Sequence, residues 1–271
     1  MRAVLPVITM FVTVGALVGM RQGTLGVSFK LSDPMASVGQ LVFITFTVQN
    51  WSSHEIRLDL GRDRKEAFHF ALQRADGHFL AQGQTPELPE LTRIGRITIP
   101  AGSSYSEKFL LNEWLPLNAP GRFKLLASFG GEIRAAGGVV DAQRTEQMDI
   151  TIEARNEQRL RESFQNLLSE ALQAPTAEER LQAASALQHA ADVEAVPFLT
   201  QLLQGGGTNA HLGVEPLARI GTAAAAQGLI RALDSPDAEV AALARGRLQS
   251  LLRQTGNPEV SSLIQKALRR R

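Results

Sequence analysis

The spacing of apolar residues changes once along this chain, and that change limits its folding more than any other feature. Through "LVFITFTVQN" the apolar side chains Val42, Ile44, Phe46 and Val48 fall at every second position. "EIRLDL" repeats the pattern, with Ile56, Leu58 and Leu60 alternating with Arg57 and Asp59, and "AFHFALQRADG" continues it with Phe68, Phe70 and Leu72. A period of two turns one face of a strand to a core and the other to water. Beyond Ala154 and Arg155, Phe, Ile and Thr give way to Ala, Leu, Gln and Arg. There the apolar period lengthens to about 3.6, that of a helix with one buried face. The chain therefore reads as a strand-built segment over 24–154 and a helical segment over 155–271.

The strand runs end in turn residues: Asn50 and Ser52-Ser53, Asp76-Gly77, Ala101-Gly102 and Pro120-Gly121. Further strands are predicted over 93–99, 105–111, 122–129 and 148–153. Seven or eight short strands with no helix among them predict two antiparallel sheets packed face to face. Nine of the twelve Phe, both Trp and the only Tyr lie between Val27 and Phe129, enough aromatic bulk to fill such a core. Cysteine is absent, so disulfides and thiolate chemistry are excluded and packing must supply the stability.

Three stretches, "FTVQNWSSHEIRLDL", "FHFALQRADG" and "ITIPAGSSYSEKFLLNEWLPLNAPGRFKL", together resemble bacterial immunoglobulin-like domains, including the proteinase-inhibitor-like kind. The order of features carries the likeness: a strand ending in Asn, one ending in Asp-Gly, a Pro-x-Gly-x-Ser entry, and a Pro-Gly before the penultimate strand. The resemblance covers roughly 25–153, implies an immunoglobulin-like β-sandwich, and transfers no functional residue.

Helices are predicted over 156–173, 177–190, 193–204, 209–220, 223–233, 236–253 and 258–270. Thr176 with Glu179 forms a capping box, Ser235-Pro236 and Asn257-Pro258 read as N-caps followed by proline, and Gly205, Gly221 and Gly256 follow helix ends. "ASALQHAADVEAVPFLTQLL" and "VEPLARIGTAAAAQGLIRAL" superpose at an offset of 30, placing Leu187 over Leu217, Leu199 over Leu229 and Leu203 over Leu233, with Leu248 another 31 residues on. Two helices per repeat of that length predict an α-solenoid, because one repeat cannot bury its own apolar face. "LARIG" followed by a second helix and "LDSPDAEV" resembles short bacterial HEAT repeats over roughly 178–268. That likeness implies partner binding along the face lined by the second helix of each repeat. On those helices Gln201, Arg231 and Lys266 fall in one row, with Leu202, Ala232 and Ala267 turned into the stack.

Chemistry is scarce. The histidines at 54, 69, 78, 189 and 211 show no ligand spacing, His54-Glu55 lacks the second His of a zinc-protease helix, and no glycine-rich stretch leads into a phosphate loop. "DLGRDRKE" misses the calcium-loop pattern at its centre and reads as a solvated loop. Gly205-Gly206-Gly207 reads as a flexible connection, and Arg269-Arg270-Arg271 as a basic helix end complementing the dipole. No catalytic residue, metal or cofactor is expected. The formal charge is +1, and without Arg2 and Arg21 it leaves 26 basic against 27 acidic residues. That neutrality argues against nucleic acid.

The N-terminus "MRAVLPVITMFVTVGALVGMRQG" carries an uncharged apolar run from 3 to 20 behind Arg2. It reads as a cleaved export signal, with Val14-Gly15-Ala16 offering small residues for a peptidase, or as an uncleaved membrane anchor; a buried N-terminal element is the third alternative. The expected protein is exported or membrane-anchored and non-catalytic, and it binds a protein through its helical repeats and sandwich loops. Inhibition of an extracellular protease through the sandwich is the alternative. Fusing residues 1–23 to a reporter that works only outside the cytoplasm should produce signal; a silent fusion would refute export.

Overall fold

A computed structural model of the chain describes residues 25–61, 64–80, 95–140 and 144–269. The expected signal or anchor over 1–23 lies outside them. Strands β1 (Leu25–Leu31), β2 (Met35–Ser37), β3 (Phe43–Asn50), β4 (Ile56–Asp59), β5 (Phe68–Arg74), β6 (Arg96–Ile99), β7 (Ser104–Leu110), β8 (Gly121–Phe129), β9 (Glu132–Ala135), β10 (Gly138–Val140) and β11 (Arg144–Glu153) build the N-terminal part. They pair in three sheets, ordered β1-β3-β7, β2-β11-β8-β5 and β10-β9-β4-β6.

The first two sheets form the sandwich, and their inner faces meet in one aromatic core. Phe46 of the first sheet stacks 4.9 Å from both Phe68 and Phe129 of the second, and Phe109 lies 4.5 Å from Phe68. The rings meet tilted or edge-on, as their quadrupoles favour. Asn50 is fully buried at the end of β3. Its Nδ2 donates to the carbonyls of His54, Ile99 and Pro100, and its Oδ1 accepts from the amide and hydroxyl of Ser52. A buried amide so satisfied pins the turn into β4.

Three features depart from the two-sheet expectation. The third sheet arises because β4 and β9 pair with each other, while β5 and β8, their neighbours along the chain, pair in the second sheet. Strand β2 runs parallel to β11, because the chain leaves the first sheet at Ser32 and enters the second alongside the last strand. A one-turn helix, α1 (Arg64–Ala67), precedes β5 where a loop was expected.

After β11 come α2 (Glu157–Gln173), α3 (Ala177–Leu187), α4 (Val196–Gly205), α5 (Val214–Ile220), α6 (Ala223–Ala232), α7 (Ala238–Gln254) and α8 (Pro258–Arg269). Helices α2, α4, α6 and α8 lie side by side in one layer, with α3, α5 and α7 in the other. Leu187, Leu217 and Leu248, fully buried, occupy successive helices of one layer, while Leu199, Leu229 and Ile264 do so in the other. Burying each such side chain is worth about 1.5–3 kcal/mol. Gly228 lets α6 close on α4, since a Cβ there would lie 2.7 Å from Thr200 Oγ1. Arg219 of α5 donates to the carbonyls of Gln188 and Ala190 beyond the end of α3, tying consecutive helices of that layer together.

The capping box of Thr176 and Glu179 forms on α3. The expected cap at Ser235-Pro236 does not form: Asp237 caps α7, its Oδ1 accepting from the amides of Glu239 and Val240, and the helix begins two residues later. The first half of the helix predicted over 209–220 is a 3-10 turn, Gly207–Gly213, that tightens behind Gly206.

Each part has its own apolar core, and the helical one reaches into the sandwich. Leu41, Phe43 and Leu110 of the sandwich pack into the helical core with Leu160 and Phe164. The connection itself is pinned: the Asn156 amide donates to Ser37 Oγ, which donates to the carbonyl of Ala154. Arg159 holds Asp33 at 2.7 Å, Glu153 at 3.0 Å and the carbonyl of Met35. Trypsin should therefore leave the bonds after Arg155 and Arg159 uncut in the native chain. Early cleavage there would reveal a loose hinge instead.

Candidate partner-binding surface

The row expected on the second helices lands on α4, α6 and α8 of one layer. Gln201, Arg231 and Lys266 are exposed, while Leu202 and Ala232 are buried and Ala267 is half-buried. On α4 the exposed side chains are those of Pro197, Gln201 and Gln204, and on α6 those of Ala224, Gln227 and Arg231, each set at the spacing of one helix face. None of Gln201, Arg231 and Lys266 makes a side-chain hydrogen bond or ion pair among the described residues.

Beside Arg231 a pocket of about 400 Å³ opens between α4, α6 and the turn before α7. Thr200, Leu203, Gly228 and Ala232 line its less polar part, and Arg231, Asp234 and Asp237 its rim. Thr200 spends its hydroxyl on the carbonyl of Val196, and Asp237 is occupied by the α7 cap, so neither is poised for chemistry.

Sequence reading passed over a second charged cluster, at the foot of the helical stack. Arg155 reaches Asp192 at 2.7 Å, Glu157 at 3.0 Å and Glu194 at 3.4 Å, and Arg161 meets Glu194 at 2.5 Å. Burial pushes the Asp192 carboxyl up, but hydrogen bonds from Arg155 and the Glu194 amide outweigh it and leave the pKa below its ordinary value. Asp33 behaves alike: burial opposes ionisation, while the Met35 amide, Arg159 and Gln40 bring the pKa down. Both shifts come from a structural ion network joining helices to sandwich. Its partners are far apart in sequence, so no local motif announces it.

Among the described residues no group of three His, Asp or Glu could hold a metal ion, and no helix is long and apolar enough to cross a membrane. The histidines stay apart: His189 lies 3.5 Å from Glu113, and His211 Nδ1 contacts the carbonyl of Thr208.

No family model matches the chain, and no curated protein matches it. Among solved structures, the CARDB domain of the PF1109 protein from Pyrococcus furiosus, in complex with di-metal ions, is similar at 12% identity over 49% of this chain and 94% of that one, with a TM-score of 0.27. Spo0M, a sporulation control protein from Bacillus subtilis, is similar at 15% identity over 55% of each chain, with a TM-score of 0.30. At such TM-scores these likenesses carry no function across.

Because the folded pKa of Asp192 is depressed, its pairing stabilises the protein above the unfolded value, near 4, and the gain is lost as pH falls through the folded one. Asp192→Asn should lower unfolding stability at pH 7 by about 1 kcal/mol. Urea titrations of both proteins should converge as the pH falls through the folded pKa of Asp192, below the ordinary aspartate range. A constant difference down to that pH would remove the ion pair from the account.

Proposed function

We propose that this chain is an exported, non-catalytic scaffold that captures a protein partner along the α4–α6–α8 surface of a short HEAT-like solenoid. The observation that carries the reading is the row of uncommitted side chains, Gln201, Arg231 and Lys266, on successive helices of one layer. Stacked repeats turn equivalent positions into one continuous surface, which suits a protein better than a small molecule. The two-layer stack and the buried leucines at the repeat spacing support the HEAT-like assignment. The apolar run over 3–20 supports export.

Arg231→Glu should weaken partner capture at least several-fold while changing unfolding stability by no more than about 0.5 kcal/mol, as at an ordinary surface site. The comparison is made by quantitative pull-down from the organism's own exported fraction with native and variant chains. Unchanged capture by a variant altered at Gln201, Arg231 and Lys266 together would move the surface elsewhere, first to the sandwich loop around Arg62 and Lys65.

A further inference from the structure

Among the described residues, strand β7 pairs with β3 on one side only. In an antiparallel ladder, alternate residues send both backbone groups to the same neighbour. The Asn50 amide donates to the carbonyl of Ser103, and that of Leu111 to the carbonyl of Val42, so Tyr105, Glu107 and Phe109 face β3. Ser104, Ser106 and Lys108 consequently direct their backbone groups away from the sheet. Of these, the Lys108 carbonyl accepts from Gln182 Nε2 at 3.1 Å. Ser104 and Ser106 are exposed, and their outward backbone groups have no partner among the described residues.

This edge opens into a cleft of about 480 Å³ whose far wall is the first turns of α3. Glu107, which accepts from the Tyr105 hydroxyl, Glu178, and Glu179, which closes the Thr176 capping box, line it. The one cation among the described residues that line it, Lys108, is already engaged by Glu170 at 3.9 Å and lies 4.2 Å over the Phe43 ring. An unpaired edge strand is a template for another strand, and natural proteins usually blunt it. Here Gln182 blunts only the Lys108 end.

We propose that an extended, basic segment of a protein partner adds to the sandwich as a strand beside β7, in the cleft between β7 and α3. Main-chain bonds to Ser104 and Ser106 would supply the pairing, and the carboxylates of the cleft would select lysine or arginine at alternate positions. The site is separate from the α4–α6–α8 row and does not rest on it.

The test uses the full chain and two pools of random octapeptides, one with lysine at every second position and one with glutamate. The lysine pool should be retained about tenfold more strongly at low salt. By NMR, its bound peptides should shield the Ser104 and Ser106 amides from exchange. Ser106→Pro removes the outward amide hydrogen at an edge position and should abolish retention. Glu178→Lys leaves the backbone intact and should erase the preference for lysine, which guards against a proline variant that fails to fold. Arg231→Glu should retain the peptides as the native chain does, so that this proposal and the scaffold reading fail separately. Equal retention of both pools, binding that leaves Ser106 exchange unchanged, or shielding by self-association without peptide would overturn the proposal.

Discussion

The seating of α2 and α3 on the sandwich is the contact on which the rest of the structure depends. Helices packed in two layers bury each apolar face against the next helix, which leaves the first with a face that has no helical neighbour. In this chain the sandwich takes that place. Leu41, Phe43 and Leu110 enter the helical core, so Leu160 and Phe164 are buried although α2 is the first helix of the stack. Around that apolar contact the polar groups are matched. Ser37 bridges the Ala154 carbonyl and the Asn156 amide, Asn156 caps α2, and Arg155 and Arg159 bind acids on both parts.

Once α2 is placed, the later helices follow by close packing. Thr200 directs its hydroxyl to its own helix, so the face it turns to α6 is smooth enough for Gly228 to approach. Gly221 takes a left-handed conformation, φ 65°, that ends α5 and lets Thr222 cap α6 at once. Short turns of this kind force consecutive helices to lie antiparallel, and alternate helices then share a layer. The exposed row on α4, α6 and α8 is a result of that geometry.

The change from strands to helices near Ala154 and the course of the helices were legible in the sequence because long amphipathic runs average out local noise. The 30-residue offset also named the right buried residues: Leu187 with Leu217, and Leu199 with Leu229. Short elements were not legible. Strands β2, β9 and β10 are three or four residues long, too short for alternation to stand out, and β2 takes a parallel partner that no local pattern implies. The α7 cap was missed because Ser235, Pro236 and Asp237 all suit a helix start, and the choice of Asp237 depends on where the turn leaves its carboxylate. Least visible was the junction. Asp33 and Arg159, or Arg155 and Asp192, come together only through tertiary packing, so no local pattern marks that interface.

The distribution of charge shows which surfaces are committed. At the junction nearly every charge has a partner: Arg155, Arg159 and Arg161 share Asp33, Glu153, Glu157, Asp192 and Glu194. Farther along the stack Arg247 pairs with Glu215, but Arg231, Arg245, Arg253 and Lys266 make no ion pair among the described residues. An exposed pair contributes little to stability, so pairing at the foot of the stack serves chiefly to fix one orientation of helices on sandwich. Unpaired cations at the distal end add nothing to that orientation. Exposed and hydrated, they would lend on-rate and specificity to the approach of a partner carrying carboxylates in matching positions.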